Sequence, residues 1–263
     1  MLQNCFQDWF LSEGMRNFAK NWCEMKKTWF YIIFFVILTG GFLFFALYDY
    51  DFSRSKLGII NASIPDFSFV DQNGRTITQK DVQDKVHVSE YFFTTCKGIC
   101  PKMNANMRRV FESYKNEPDF LILSHTCMPE TDSVPVLKAY EEKMLKGKLI
   151  RKTDGSYSFS GEINQQPSEN KNWFFVTGEK KELYDMARKG YMIDNGTPDT
   201  AQIKDQFIHT QFFALVDRNR RVRGIYDGLK SDEVDQMMKD IRGLLGEKVK
   251  TTRFLTGFSN NPG

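Results

Sequence analysis

The stretch VHVSEYFFTTCKGICPKM, residues 86–103, decides the fold class. Val86 to Phe93 is a β-branched and aromatic run of strand length, read as a buried strand. A short cysteine-bearing loop follows at once. From Cys100-Pro101 onward, Met103, Met107, Val110, Phe111 and Tyr114 recur at i, i+4, i+7, i+8 and i+11, the spacing of one buried helix face, with proline in the first turn. The pattern then repeats: Phe120 to Ser124 is a second apolar strand, and Val134, Leu137, Tyr140, Met144 and Leu145 mark a second helix. Strand alternating with helix predicts an α/β domain with a parallel central sheet and helices packed on its faces.

Outward from this core, Phe67 to Val70 and Arg75 to Thr78 flank Asp71-Gln72-Asn73-Gly74, and Asn-Gly between strand-like runs predicts a β-hairpin. Residues 147–171 are polar and turn-rich and read as a surface excursion. Trp173 to Thr177 is a further strand, and Lys181 to Arg188 a short helix. Gln211 to Val216 and Val222 to Tyr226, joined by Asp217-Arg218-Asn219-Arg220, predict an antiparallel hairpin. The last helix is expected to take Ser231 as its N-cap and to bury Val234, Met237, Met238, Ile241, Leu244 and Leu245. The expected organisation is an N-terminal segment 1–28, an anchor 29–48, a tether 49–62, the α/β domain 63–246 and a tail 247–263.

Trp29 to Tyr48 carries no charge, and at about 1.5 Å per residue it spans the roughly 30 Å hydrocarbon layer. The long charged region before it and the absence of an Ala-x-Ala site predict a retained transmembrane helix rather than a cleaved signal peptide. Arg16, Lys20, Lys26 and Lys27 precede the span, whereas Asp49 and Asp51 are the first charges beyond it, so the N-terminus is expected in the cytoplasm. Asp8, Glu13 and Glu24 argue against an acid-poor transit peptide. A single-pass protein of the bacterial inner membrane, its domain facing the periplasm, is the expected arrangement. Phe6, Trp9, Phe10, Phe18, Trp22 and Met25, at near-helical spacing, suit a segment lying along the membrane surface. Cys5 and Cys23 then fall on the reducing side as incidental thiols. A net charge of +3 with no basic stripe interleaved with aromatics argues against a nucleic-acid partner.

Cys96 and Cys100 form a Cys-x-x-x-Cys pair before the helix. A helix N-terminus favours the thiolate, the species that binds metal and attacks disulfides. Because a residue before proline avoids helical dihedrals, Cys100 is expected at or before the N-cap, with both thiols in an exposed loop able to chelate and to oxidise. Two thiolates suit Cu(I), and one added imidazole gives a trigonal site that also holds Cu(II). His87, His125 and His209 are the available histidines; His87, inside the predicted strand, is the poorest placed.

The run FFTTCKGICPKM at 92–103, together with Asp205-Gln206-Phe207-Ile208-His209-Thr210 and Leu215-Val216-Asp217, resembles the SCO/SenC proteins over roughly residues 60 to 245 and in the anchor. The resemblance implies a thioredoxin-like fold, with a central mixed sheet flanked by helices and an N-terminal β-hairpin, and a membrane-tethered copper protein that helps assemble the binuclear copper centre of cytochrome c oxidase. It implies Cys96 and Cys100 as thiolate ligands and His209 as the imidazole ligand, with copper donor proteins, thioredoxin-like reductants and oxidase subunit II as partners. The family's Asp-Pro-Glu-x-Asp-Thr stretch is replaced here by Met128-Pro129-Glu130-Thr131-Asp132-Ser133. His125, Cys127 and Met128 are therefore candidate additional ligands, or in the case of Cys127 a resolving thiol; the plainer reading is a buried thiol and a packing methionine. Glu90, six residues before Cys96, stands where thioredoxin-like oxidoreductases bury an acid that accepts a thiol proton, although a solvated strand-edge glutamate is equally compatible with the sequence. The leading reading is a copper metallochaperone. The alternatives are a thiol-disulfide oxidoreductase acting through Cys96 and Cys100, and a redox or copper sensor.

Overall fold

The computed structural model describes residues 13–47, 57–163, 169–194 and 210–247. The chain divides into two compact units, 1–52 and 53–263. In the first, α1 (Glu13–Leu47) is continuous, and its segment Lys27–Phe45, with a mean hydropathy of 2.1, is long and apolar enough to cross a membrane.

The second unit is built on a seven-stranded sheet. Its strands are β1 (Ser68–Asp71), β2 (Thr76–Thr78), β3 (Val86–Phe92), β4 (Phe120–Thr126), β7 (Trp173–Thr177), β8 (Phe212–Val216) and β9 (Val222–Asp227), in the order β2-β1-β7-β4-β3-β8-β9. β3, β4 and β7 are parallel, while β1 and β8 join them antiparallel, so the sheet is mixed rather than purely parallel. Every residue of β3 and β4 is buried, as expected of central strands covered on both faces.

One face carries α3 (Cys100–Tyr114), α4 (Val134–Lys146) and α6 (Ser231–Gly246). They bury Met103, Met107, Phe111, Leu137, Tyr140, Val234 and Ile241 against Val88, Phe92 and Ile122. The other face is closed by Ile64, Phe67 and Phe69, the short helix α2 (Gln79–Val82), and α5 (Lys180–Asp185), which runs on into a π-helical turn at Met186–Gly190. The β1–β2 turn forms as its sequence predicts: Asp71 Oδ1 accepts the backbone N–H groups of Asn73 and Arg75 at 2.9 and 2.8 Å, and Gly74 takes φ +77°.

Two expectations are corrected. The excursion after α4 is a second hairpin, β5 (Gly147–Arg151) and β6 (Tyr157–Ile163), turned at Asp154-Gly155 with Gly155 at φ +80°. A Cβ on Gly147 would lie 2.7 Å from the Phe159 ring, so the glycine lets that ring pack on the core. Ser231 does not cap α6: it is the first helical residue, after Lys230 as N-cap, and its hydroxyl makes no capping bond. Glu233 Oε2 serves the helix start instead, accepting the Asp227 N–H at 2.7 Å.

At the far edge, the side chain of Arg223 is almost wholly buried. It donates to the Leu57 and Gly58 carbonyls at 2.7 and 3.0 Å and pairs with Asp217 and Glu247. The start of the described domain is thereby tied to β9 and to the end of α6.

Candidate functional site

The thiols sit where β3 ends and α3 begins, at the carboxyl edge of the parallel strands where open α/β sheets place their sites. Ile99 takes helical dihedrals (φ −79°, ψ −31°) and its carbonyl accepts from Lys102 and Met103 N–H at 3.0 and 3.1 Å. Cys100 is therefore the first helical residue and is 4% exposed, whereas Cys96 is half-buried. The expectation of two thiols in an exposed loop is thus corrected. The preference of a pre-proline residue yields to the helical bonds that Ile99 accepts, and Pro101 lacks an N–H only where the helix has no partner for one.

Both cysteines are reduced. Burial, first, and the neighbouring Cys96 thiol, second, push the Cys100 thiol well above its ordinary range, with the Phe93 backbone acting against them. Burial thus opposes the thiolate form that a helix N-terminus would favour.

Beneath the pair, Glu90 is fully buried. Its register partner on β4, Ser124, donates to Glu90 Oε1 at 2.6 Å, while Oε2 finds no hydrogen-bond partner among the described residues. Burial raises the carboxyl to about 8, with the Ser124 bond acting against it, so Glu90 is mostly protonated at neutral pH. Of the two readings open at the sequence level, the buried acid is the one the structure holds. Its charge, when present, raises both Cys100 and Tyr140. Asn104 Nδ2 donates to the Tyr140 hydroxyl at 3.0 Å and to the Cys100 carbonyl at 2.9 Å, and Tyr140 stacks on Phe92 with ring centroids 4.9 Å apart. Cys100, Glu90 and Tyr140 thus form one buried, proton-holding group.

The loop is clamped from β4. Asp132 accepts from the Thr94 N–H at 3.2 Å, the Thr94 hydroxyl at 2.6 Å and the Thr126 hydroxyl at 2.6 Å. Asp132 is the positioning residue that motif reading passed over, although it stands within the quoted Pro129-Glu130-Thr131-Asp132 run.

Strand alternation turns Tyr91, His125 and Cys127 to the sheet face opposite the one on which Cys100 packs. His125 stacks on Tyr91 at 4.9 Å, with Phe69 and Tyr191 edge-on, and burial lowers it to about 4. It is a core histidine, and His87, lowered by burial to about 3, is another. The Cys127 thiol is pushed up by burial, and its N–H donates to the Phe92 carbonyl at 2.8 Å. Met128 is half-buried and opens the turn that presents Asp132. Among the described residues no third His, Cys, Asp or Glu completes a metal site with the cysteine pair. His209 lies outside the described residues. Thr210, beside it, is buried and donates to the Ile193 carbonyl at 2.7 Å. β8 runs antiparallel to β3, so it begins at the sheet edge where β3 ends.

A mixed sheet opened by a hairpin, with a dithiol at the β3–α3 junction over a buried acid, defines a thioredoxin-like domain. The chain belongs to the SCO1/SenC family, whose model matches residues 60–157 and 161–246. It is similar to the SCO1 protein homolog of Bacillus subtilis, 27% identical over 207 residues, covering 78% of this chain and 94% of that one. Among solved structures it resembles a SCO1/SenC family lipoprotein of Bacillus anthracis (TM-score 0.54, 25% identity, 73% of this chain and 99% of that one). It also resembles BsSco, a member of the Sco family of cytochrome c oxidase assembly proteins in which a disulfide switch has been identified (TM-score 0.53, 24% identity, 73% and 98%).

Proposed function

We propose that the chain is a membrane-anchored copper metallochaperone that takes up copper on Cys96, Cys100 and His209 and passes it to the binuclear copper centre of cytochrome c oxidase subunit II. The observation that carries the reading is the pair of reduced thiols at the junction of β3 and α3, at the sheet edge of a SCO1/SenC domain. Paired thiolates select Cu(I), and an imidazole from the segment entering β8 at that same edge supplies the third donor. Half-buried Cys96 is the side open to an incoming ligand, so exchange onto a recipient begins there. Glu90, protonated near neutrality, spares the copper-bound thiolates a buried like charge. The charge asymmetry about the apolar span Trp29 to Tyr48 supports a domain on the periplasmic side of a bacterial inner membrane, where copper donor proteins and thioredoxin-like reductants would serve it.

A second reading, thiol-disulfide reduction, is favoured by the contrast between half-buried Cys96 and buried Cys100. Cys96 thiolate would attack a substrate disulfide and release one substrate thiolate. Cys100, losing its proton to ionised Glu90, would then displace the second. The substrate gains two electrons and the chain keeps a Cys96–Cys100 disulfide, which an external dithiol must reduce.

The test is copper content and absorption of the reduced, copper-loaded chain beside His209→Ala. One copper per chain, with thiolate-to-copper charge-transfer bands that vanish in the variant, supports the chaperone. Absence of copper in the parent with retained disulfide reduction overturns it in favour of the reductase.

A further inference from the structure

We propose that Ile59 and Ile60 form a lipid-facing lip that rests the domain against the surface of the membrane that holds α1. The inference rests on the membrane-anchored part of the reading above and adds a second contact to the anchor.

The lip is fastened from two sides. Arg223 of β9 donates to the Leu57 and Gly58 carbonyls at 2.7 and 3.0 Å. The Ile60 N–H donates to the Val222 carbonyl at 2.8 Å, and the Val222 N–H donates to the Asn61 carbonyl at 3.0 Å. On the other side, Asn61 Nδ2 donates to the Lys189 and Gly190 carbonyls of the π-helical turn at 2.9 and 2.7 Å. The backbone of residues 57–61 is thereby set in advance, so covering its outward side chains requires little further ordering of the chain.

What the lip presents is apolar. Leu57 packs against one core cluster and Ile64 is buried in the other, whereas Ile59 and Ile60 between them are 52% and 49% exposed. Outside α1 they are the only two consecutive large hydrophobic residues that stand exposed among the described residues. The stretch Leu57 to Pro65 (LGIINASIP) carries no charge, so no ion has to leave water when this margin meets an apolar layer. Leu57 and Ile60 also line a groove with Ile225 and Tyr226 of β9, which carries the apolar margin on from the lip. The tether selects the partner. Only residues 49–56 lie between the apolar span and Leu57, a contour of at most about 30 Å. A surface held on so short a linker is present at high effective concentration, so a contact of two isoleucines, far below the size that holds a free protein, suffices for the bilayer. The lip lies along β9, the outermost strand, and the thiols follow β3, with β8 between, so the two surfaces are separate.

The test uses the full reduced chain in phospholipid nanodiscs, with isoleucine methyl groups labelled for NMR and a spin label on the lipid acyl chains. Broadening of the Ile59 and Ile60 methyls is expected to exceed that of Ile150 and Ile163, exposed on the β5–β6 hairpin, by at least about threefold, as for side chains seated about 5–10 Å into the interface. Ile59→Ser/Ile60→Ser is expected to free the domain on its tether, shortening its rotational correlation time to about half or less with melting unchanged, while Ile163→Ser tumbles like the parent. Equal broadening at all four methyls, or a lip variant that tumbles like the parent, overturns the proposal. Stronger broadening at Ile150 or Ile163 overturns it in favour of another face. Slow tumbling that persists in detergent and grows with protein concentration overturns it in favour of a second copy of this chain. A chain that enters the nanodisc with a freely tumbling domain sinks the lip and leaves the anchor standing. A chain that does not enter the nanodisc removes the anchored reading, and the lip falls with it.

Discussion

Thr94 and Asp132, 38 positions apart, are joined at 2.6 Å through the threonine hydroxyl and at 3.2 Å through its backbone N–H. The same carboxylate holds Thr126 at the end of β4. The cysteine loop is therefore fixed to the strand beside it by a single side chain.

Replacing Asp132 by Ala removes three hydrogen bonds to a buried carboxylate and leaves the buried Thr126 hydroxyl and the half-buried Thr94 donors unmatched. The expected loss is about 3 kcal/mol of unfolding free energy. Urea denaturation of the variant measures it. Asp132→Asn, which keeps one acceptor oxygen, is expected to lose less, and a loss below roughly 0.5 kcal/mol for the alanine variant would rule out a clamp.

Glu90 gives the domain a stability component that declines with rising pH. Its folded pKa of about 8 exceeds the ordinary 4.5, so the native state holds the extra proton between those values. Its contribution is complete below pH 4.5 and is lost as pH rises through 8, a swing of at most roughly 5 kcal/mol. Glu90→Gln is expected to flatten the melting temperature between pH 5 and 8.5. An unchanged slope would show that the carboxyl titrates normally.

The opposite sign holds for His125. Its folded pKa of about 4 lies below the ordinary 6.5, so the unfolded state gains protons first and stability falls as pH drops from 6.5 through 4. His87, lowered to about 3, adds to this; His125 and Arg220 press it down while Asp217 pulls the other way. His125→Phe, which preserves stacking on Tyr91, is expected to retain about 2 kcal/mol more stability than the parent at pH 4.5 relative to pH 7. Acid titration followed by circular dichroism reads the difference.

Alkylation separates the thiols. Cys96 is the accessible member, whereas Cys100 and Cys127 are buried with raised pKa values. In the native chain at neutral pH, iodoacetamide is expected to modify Cys96 at least about tenfold faster than either, with all three levelled by urea. Peptide mapping by mass spectrometry gives the ratio.

The β3–α3–β4–α4 core could be read from periodicity because its helices expose one polar side and its strands carry β-branched and aromatic runs. The thiol pair was equally plain. The second hairpin escaped because β5 is largely exposed and mixes charged with apolar residues, although Asp154-Gly155 marked its turn. Cys100 was misplaced because a local dihedral preference was weighed without the bonds to Ile99 that override it. His125 was offered as a ligand from its nearness in sequence; counting strand alternation from Glu90 and Ser124 puts it on the other face. Asp132 acts through residues 6 and 38 positions away, a relation that no local pattern carries.

The buried Arg223 has a mechanical consequence. Tension entering the domain at Leu57 is borne first by the arginine's bonds to the Leu57 and Gly58 carbonyls, on the outermost strand. Between that strand and β3 stands β8, paired with both, and Arg223 is itself anchored to Asp217 and Glu247, away from the thiols. Residues 57 and 58 are thus moored at the margin of the sheet, on the strand farthest from β3 on that side and not on the strand that carries the thiols.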